Sequence, residues 1–234
     1  TRSRYSRSRR AGPQAVEGQA RSRSKRPRHH GAGETGIYTG PEMKRVALLG
    51  ATGSIGRQAV EIIDAHPGLE LCALAAGSQA DEVEQLARKH GVAHVTSGGN
   101  PPLDELVAAS EPDVVLNAVV GFAGLPATLA APEAGIDLAL ANKESLVAAG
   151  ELALAAWKRG GGRLLPVDSE HSAAFQCLEG QAPETVHTLV LTASGGPFRG
   201  RTRDELTGVT PEEALAHPTW SMGQKITIDS ATLM

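Results

Sequence analysis

Arg45-Val46-Ala47-Leu48-Leu49-Gly50-Ala51-Thr52-Gly53-Ser54-Ile55-Gly56 is a short apolar run followed by three glycines spaced three apart. The run predicts a buried strand over 45–49. Beyond the glycines, Ile55, Ala59, Ile62 and Ile63 recur at helical spacing and predict a helix with one apolar face, stopped by His66-Pro67-Gly68. A strand, a glycine turn and a helix in this order place backbone N–H groups and a helix N-terminus where a pyrophosphate can bind. The spacing is GxxGxxG instead of GxGxxG, so the turn is a variant of the dinucleotide fingerprint. A glycine turn in an α/β domain that binds nothing is the plain alternative.

The same alternation continues downstream. Leu69 to Ala76 reads as a second buried strand, and Val83, Leu86, Ala87 and His90 form a helical stripe ended by Gly91. Asp113 to Val119 and Asp137 to Ala141 have strand length, and Leu125 to Ala134 can cross between them as a helix. From Glu144 to Arg159 a helix is expected with Val147, Leu154 and Trp157 on one face, closed by Lys158-Arg159-Gly160. Leu164 to Val167 and Val186 to Thr192 are further strand candidates. Strands alternating with helices make the fold class α/β, a Rossmann-like doubly wound parallel sheet. An incomplete α+β catalytic domain is expected to follow it. The expected domains are a basic extension over 1–42, a dinucleotide-binding domain over 43–167 and a partial catalytic domain over 168–234. Within the last, the glycine- and proline-containing stretch 194–223 is expected to be a flap, with a short capped helix at 211–216 announced by Thr210-Pro211-Glu212-Glu213.

Charge is distributed unevenly. Residues 1–40 hold 10 of the 23 Lys+Arg but, among the 26 acids, only Glu17 and Glu34. The arm, rich in Arg, Ser, Gly and Pro, lacks apolar periodicity and is expected to be disordered. It fits an organelle transit peptide, or upstream sequence carried along before Met43, with RNA binding ranked behind both. The remainder is acidic and gives no reason to expect a nucleic-acid partner, so an anionic ligand must be held by a few placed cations and dipoles. No apolar run reaches the roughly 18–20 residues that span a bilayer. Cys72 and Cys177 stand apart without metal-site spacing and are expected to be free structural thiols.

Several residues gather at expected strand ends. Ala76-Gly77-Ser78-Gln79 closes the second strand without the acid that would take a ribose 2′-hydroxyl, which favours NADPH over NADH. Asn142-Lys143-Glu144 sits where a strand gives way to a helix, and a lysine at a helix N-terminus asks for an anionic partner. Asp168-Ser169-Glu170-His171 follows the next strand. In an extended segment the two carboxylates would face one side and suit a hard dication, Mg²⁺ or Mn²⁺; a helix N-cap followed by an exposed acid is the alternative. Ser194-Gly195-Gly196-Pro197 could surround phosphate oxygens. His217-Pro218-Thr219-Trp220-Ser221-Met222-Gly223 puts an imidazole, an indole and a thioether on the flap.

Taken in order, GATGSIG, LANKESLV, LLPVDSEHSA, SGGPF and HPTWSMGQKITIDSATLM resemble the 1-deoxy-D-xylulose 5-phosphate reductoisomerase family, from about Met43 to Met234. The resemblance implies a metal-assisted rearrangement of a ketose phosphate followed by hydride transfer from NADPH, giving 2-C-methyl-D-erythritol 4-phosphate for isoprenoid synthesis. It implies NADPH contacts from Thr52, Gly53, Ser54, Ile55, Gly77, Ser78, Gln79, Asn142 and Glu144, and metal ligation by Asp168 and Glu170. Lys143, Ser169, Glu170, Ser194, His217 and Ser230 would hold the sugar phosphate, with Lys143, Asp168, Glu170 and His217 carrying the chemistry and Trp220 and Met222 on the closing flap. The resemblance further implies a cytoplasmic homodimer, or a plastid enzyme if the arm is a transit peptide. The family continues past Met234 with an Asn-Lys-Gly-Leu-Glu stretch and a helical domain, so this chain is expected to bind NADPH and turn over little substrate. A homoserine- or semialdehyde-type Rossmann reductase is the alternative enzyme, and a cofactor-binding fragment the alternative outside enzymes.

Overall fold

A computed structural model describes residues 43–192 and 195–233, the last of these, from 230 onward, by their backbone. The expectations for the arm at 1–42 and for Ser194 lie outside the described residues. Six parallel strands, β1 (Lys44–Leu49), β2 (Leu69–Ala76), β3 (His94–Ser97), β4 (Val114–Asn117), β5 (Asp137–Leu140) and β6 (Leu164–Pro166), form one sheet in the order β3-β2-β1-β4-β5-β6. The order reverses direction between β1 and β4, and that switch point opens a crevice at the carboxyl ends of the strands.

The strands are apolar on both sides because both faces are covered. Helices α1 (Ser54–Ala65) and α2 (Ala80–His90) lie on one face, where Val46, Leu48, Leu71 and Leu74 of the sheet meet Ala59, Val60, Ile63, Val83 and Ala87. On the other face, Ala47, Leu49, Ala73 and Leu138 pack against Leu106 and Val107 of α3 (Leu103–Ser110) and Ala127 and Ala131 of α4 (Leu125–Glu133), with Leu146 and Trp157 of α5 (Lys143–Gly160) at the margin. Cys72 is buried in this second core, whereas Cys177 is exposed. Among the described residues no helix is long and apolar enough to cross a membrane.

Two helix faces differ from their expected ones. On α1 the buried side is Gly56, Ala59, Val60 and Ile63, while Ile62 is 62% exposed. The glycine turn sets Gly56 against the turn itself, and this rotates the helix by about one residue from the expected stripe. On α5 the buried residues are Ser145, Ala153 and Ala156, while Val147 is 88% exposed and Leu154 also faces outward. A break in helical geometry at Ala149 (φ −141°, ψ 32°) divides α5 and ends the single periodicity that the expected face assumed.

After β6 the chain forms α6 (Ser169–Leu178), α7 (Pro211–Leu215) and α8 (Gln224–Leu233), linked by loops and single turns. The strand expected over 186–192 is not formed: Leu189, Val190 and Leu191 are exposed and have no pairing strand among the described residues. An apolar β-prone run gains little from extension without a neighbour for its backbone groups. The capped helix is present as expected, with Thr210 Oγ1 accepting from the Glu213 N–H and Glu213 accepting from the Thr210 N–H.

Candidate active site at the carboxyl end of the sheet

The site begins at the turn after β1. Gly50 has φ 88°, and a Cβ there would meet the Ala118 carbonyl oxygen at 2.6 Å. A Cβ on Gly56 would lie 2.2 Å from the Gly50 carbonyl oxygen. Only glycine allows α1 to start so close to β1 and β4. Gly53 occupies the N-cap position and offers no side chain to the first N–H groups of α1, which lack intrahelical acceptors. Thr52, Gly53, Ser54 and Ile55 therefore frame an uncapped, electropositive helix end beside the switch point. Gly77, Ser78 and Gln79 form an exposed shelf just past β2.

Asn142, at the carboxyl end of β5, plays a part that sequence reasoning did not foresee. Its side chain is 2% exposed. The Nδ2 group donates to the carbonyls of Val119 and Gly121, and Oδ1 accepts from both the N–H and the hydroxyl of Ser145. All its hydrogen-bonding capacity is used within the protein. Asn142 caps α5 and staples the loop after β4, and its own N–H donates to the Asn117 carbonyl at 3.1 Å. Asn117 supports the same loop, donating to the Gly124 carbonyl (2.8 Å) and the Thr128 hydroxyl (3.0 Å).

Lys143 and Glu144 open α5 toward the crevice. Lys143 Nζ lies 2.7 Å from Asp168 Oδ1, and His171 Nδ1 lies 2.5 Å from Asp168 Oδ2. Burial alone would raise the Asp168 carboxyl, but hydrogen bonds from Lys143 and His171 outweigh it and hold Asp168 below its ordinary value. Asp168 stays ionised at neutral pH.

The extended geometry expected for Asp168 and Glu170 is not what forms. Asp168 is the N-cap position of α6, Ser169 is already helical, and Glu170 lies in the first turn. Residues two apart diverge around a helix, so the two carboxylates do not form a flat pair. Among the described residues no cluster of three His, Cys, Asp or Glu could hold a metal. In donor chemistry the pair still fits a hard dication, since both offer carboxylate oxygens. The Lys143 ammonium and the His171 ring stand where such an ion would act on Asp168.

The flap returns to the glycine turn. A Cβ on Gly223 would lie 3.7 Å from Ser54 Cβ, and Lys225 pairs with both Glu144 and Asp229. Burial would raise the Glu144 carboxyl, but the Lys225 hydrogen bond and a backbone N–H overcome it and lower its pKa. Lys225 was not singled out from the sequence; its place beside Gly223 in the HPTWSMGQK block was the available signal. His217 Nδ1 accepts from the N–H groups of Thr219 (3.1 Å) and Trp220 (2.9 Å). Its proton therefore sits on Nε2, which is buried without a partner among the described residues and is a donor ready for a ligand oxygen. Trp220 is exposed and Met222 half-buried. Ser169 is exposed at the start of α6, and Ser230 lies in α8.

Two sequence profiles match the chain: 1-deoxy-D-xylulose 5-phosphate reductoisomerase over residues 46–100 and 91–150, and the C-terminal domain of the same enzyme over 164–234. A 1-deoxy-D-xylulose 5-phosphate reductoisomerase from Symbiobacterium thermophilum is 49% identical over 217 residues, covering 82% of this chain and 56% of that protein. Its counterpart from Xanthomonas campestris is 47% identical, covering 84% of this chain and 56% of the relative. The chain thus spans little more than half the length of the curated relatives it matches. Among solved structures, a DOX-P reductoisomerase in complex with NADPH, fosmidomycin and magnesium aligns with a TM-score of 0.73 at 39% identity, covering 81% of this chain and 55% of that one. The Zymomonas mobilis enzyme in complex with NADPH aligns with a TM-score of 0.67 at 38% identity, covering 82% of this chain and 54% of that one. With the glycine turn, the Asn142-Lys143-Glu144 corner and the flap assembled at one end of a doubly wound sheet, the chain belongs to the 1-deoxy-D-xylulose 5-phosphate reductoisomerase family.

Proposed function

We propose that this chain carries the cofactor-binding part, residues 43–167, and part of the catalytic portion, from residue 168 onward, of an NADPH- and Mg²⁺- or Mn²⁺-dependent 1-deoxy-D-xylulose 5-phosphate reductoisomerase. The observation that carries the reading is the convergence at the switch point. Gly223 lies against Ser54, Lys225 against Glu144 and Lys143 against Asp168, so glycine turn, flap and acidic corner share one crevice.

The uncapped N-terminus of α1 receives the pyrophosphate, and Ser78 and Gln79 take the adenosine end. Asp168 and Glu170 would hold the dication, which would supply Lewis-acid chemistry to the sugar phosphate. Lys143, displaced from Asp168, turns its ammonium to the substrate, and His217 Nε2–H donates to a substrate oxygen. Ser169, Ser194 and Ser230 add hydroxyl donors. The segment bearing Trp220 and Met222 closes over the reacting groups and excludes water. A cytoplasmic homodimer completes the reading, with the outward-facing Val147, Leu152 and Leu154 of α5 as apolar surface suited to cover.

Two measurements test it. Titration of this chain with NADPH should show saturable binding. Continued by the C-terminal part its relatives carry, it should oxidise NADPH on addition of 1-deoxy-D-xylulose 5-phosphate only when Mg²⁺ or Mn²⁺ is present. Oxidation indifferent to chelation of the metal would overturn the proposal.

A further inference from the structure

The shelf after β2 raises a question of charge. Ser78, Gln79, Ala80, Asp81 and Glu82 line a shallow depression, and Asp81 and Glu82 fall in the first turn of α2. Two carboxylates there would repel the 2′-phosphate of NADPH and welcome the 2′-hydroxyl of NADH. Neither Ser78 nor Gln79 brings a cation.

The cation comes from α1. Arg57, one residue past Gly56, reaches across to Glu82 in a two-pronged pair, Nε to Oε1 and Nη2 to Oε2, each 3.0 Å. Both side chains are substantially exposed. An exposed ion pair is weakly held, and a phosphate offers the guanidinium the same fork geometry with more charge. Arg57 is not needed to keep the helices together. At the opposite end of α1 and α2, Lys89 Nζ lies 2.9 Å from Asp64 Oδ2, and the buried contacts of Val60, Ile63, Val83 and Ala87 lie between the two pairs.

We propose that Arg57 is the specificity-determining residue for NADPH over NADH. It rests on Glu82 in the free protein, masking that carboxylate, and transfers its guanidinium to the 2′-phosphate when the cofactor occupies the shelf. This rests on the cofactor reading above and adds the residue that does the discriminating.

Fluorescence titrations of the 234-residue chain with NADPH and with NADH, on wild type, Arg57→Gln and Glu82→Gln, test it. Arg57→Gln should weaken NADPH at least about tenfold and leave NADH within about twofold, because only NADPH carries the lost partner. Glu82→Gln should tighten NADPH several-fold by releasing Arg57, and it decides the matter alone if Arg57→Gln fails to fold. Arg57→Gln weakening both cofactors equally or neither, or Glu82→Gln leaving NADPH affinity unchanged, would overturn the role of Arg57 while wild-type NADPH binding stands. A wild-type chain that prefers NADH would instead overturn the cofactor reading, and the proposal with it.

Discussion

Lys143 and Asp168 meet across the carboxyl ends of β5 and β6, with Nζ 2.7 Å from Oδ1. Each comes from the start of a helix that follows its strand directly, so the contact is set by the sheet and not by a loop. The pair joins the part of the chain that carries the glycine turn to the part that carries the flap.

On the proposed metal site, Asp168 would be shared between an ammonium and a dication, and this makes the first prediction. Lys143→Met should tighten Mn²⁺ binding several-fold in the absence of substrate, because the competing charge is gone. Asp168→Asn should weaken it by at least about tenfold, since a neutral amide is a poor ligand for a hard cation. Mn²⁺ titration followed by electron paramagnetic resonance reads both. Unchanged affinity in Lys143→Met would mean that lysine and metal do not share the carboxylate.

A second prediction concerns the turn after β1. Gly56→Ala places a methyl 2.2 Å from the Gly50 carbonyl oxygen and 2.7 Å from the Ala51 carbonyl carbon, both backbone atoms that cannot step aside. The turn must open or α1 must move off the sheet. A loss of about 3 kcal/mol or more is expected, measured by urea denaturation. Gly53→Ala meets only the Gly50 carbonyl oxygen, at 3.3 Å, and should cost far less. Equal losses would mean that the close approach at Gly56 is not what demands glycine.

Much of this was legible beforehand because the relevant signals are local. The strands β1 and β2 are nearly continuous apolar runs buried on both faces, and the capping box at Thr210 is written in four adjacent residues. The short β3 (His94–Ser97) and the helix α3 after it were not foreseen: four residues with a leading histidine carry no pattern of their own and become a strand by pairing with β2. For Asp168-Ser169-Glu170-His171 the sequence allows both an extended pair of acids and a helix N-cap followed by an acid, and the structure takes the second. The sharp entry into α6 decides between them. The resemblance alone assigns Asn142 to the cofactor; its burial depends on carbonyls more than twenty residues earlier in the chain, which no local pattern carries.

The third prediction is a pH dependence. Asp137, at the start of β5, accepts the Arg163 N–H at 2.8 Å and is clasped by its guanidinium at 2.7 and 3.0 Å. Burial pushes the Asp137 carboxyl up, but these bonds prevail and its folded-state pKa is lowered. A lowered folded pKa contributes stability that is present above the unfolded value of about 3.9 and is lost as pH falls through the folded value. Asp137→Asn should therefore cost about 1 kcal/mol at neutral pH, discounted for the exposed arginine. The difference from wild type should shrink below about pH 4. Urea denaturation at neutral and at acid pH measures it, and a gap that persists undiminished in acid would contradict the assignment.

Asn142 supplies the last prediction, which separates scaffold from ligand contact. Asn142→Ala strands the carbonyls of Val119 and Gly121 and uncaps α5, and a loss of about 2–4 kcal/mol is expected from the unpartnered buried groups together with the missing cap. Asn142→Asp keeps the acceptor for Ser145 but turns a carboxylate oxygen toward the two carbonyls that Nδ2 now serves. Acceptor would face acceptor in a buried place, so the aspartate should be at least as damaging as the alanine despite its closer shape. A residue whose purpose was to touch the cofactor would behave differently, losing NADPH affinity with little change in stability. Thermal melts beside NADPH titrations on the two variants distinguish the cases: stability should fall in both, and a stable Asn142→Asp protein would show that the amide does not hold the loop in the way its hydrogen bonds indicate.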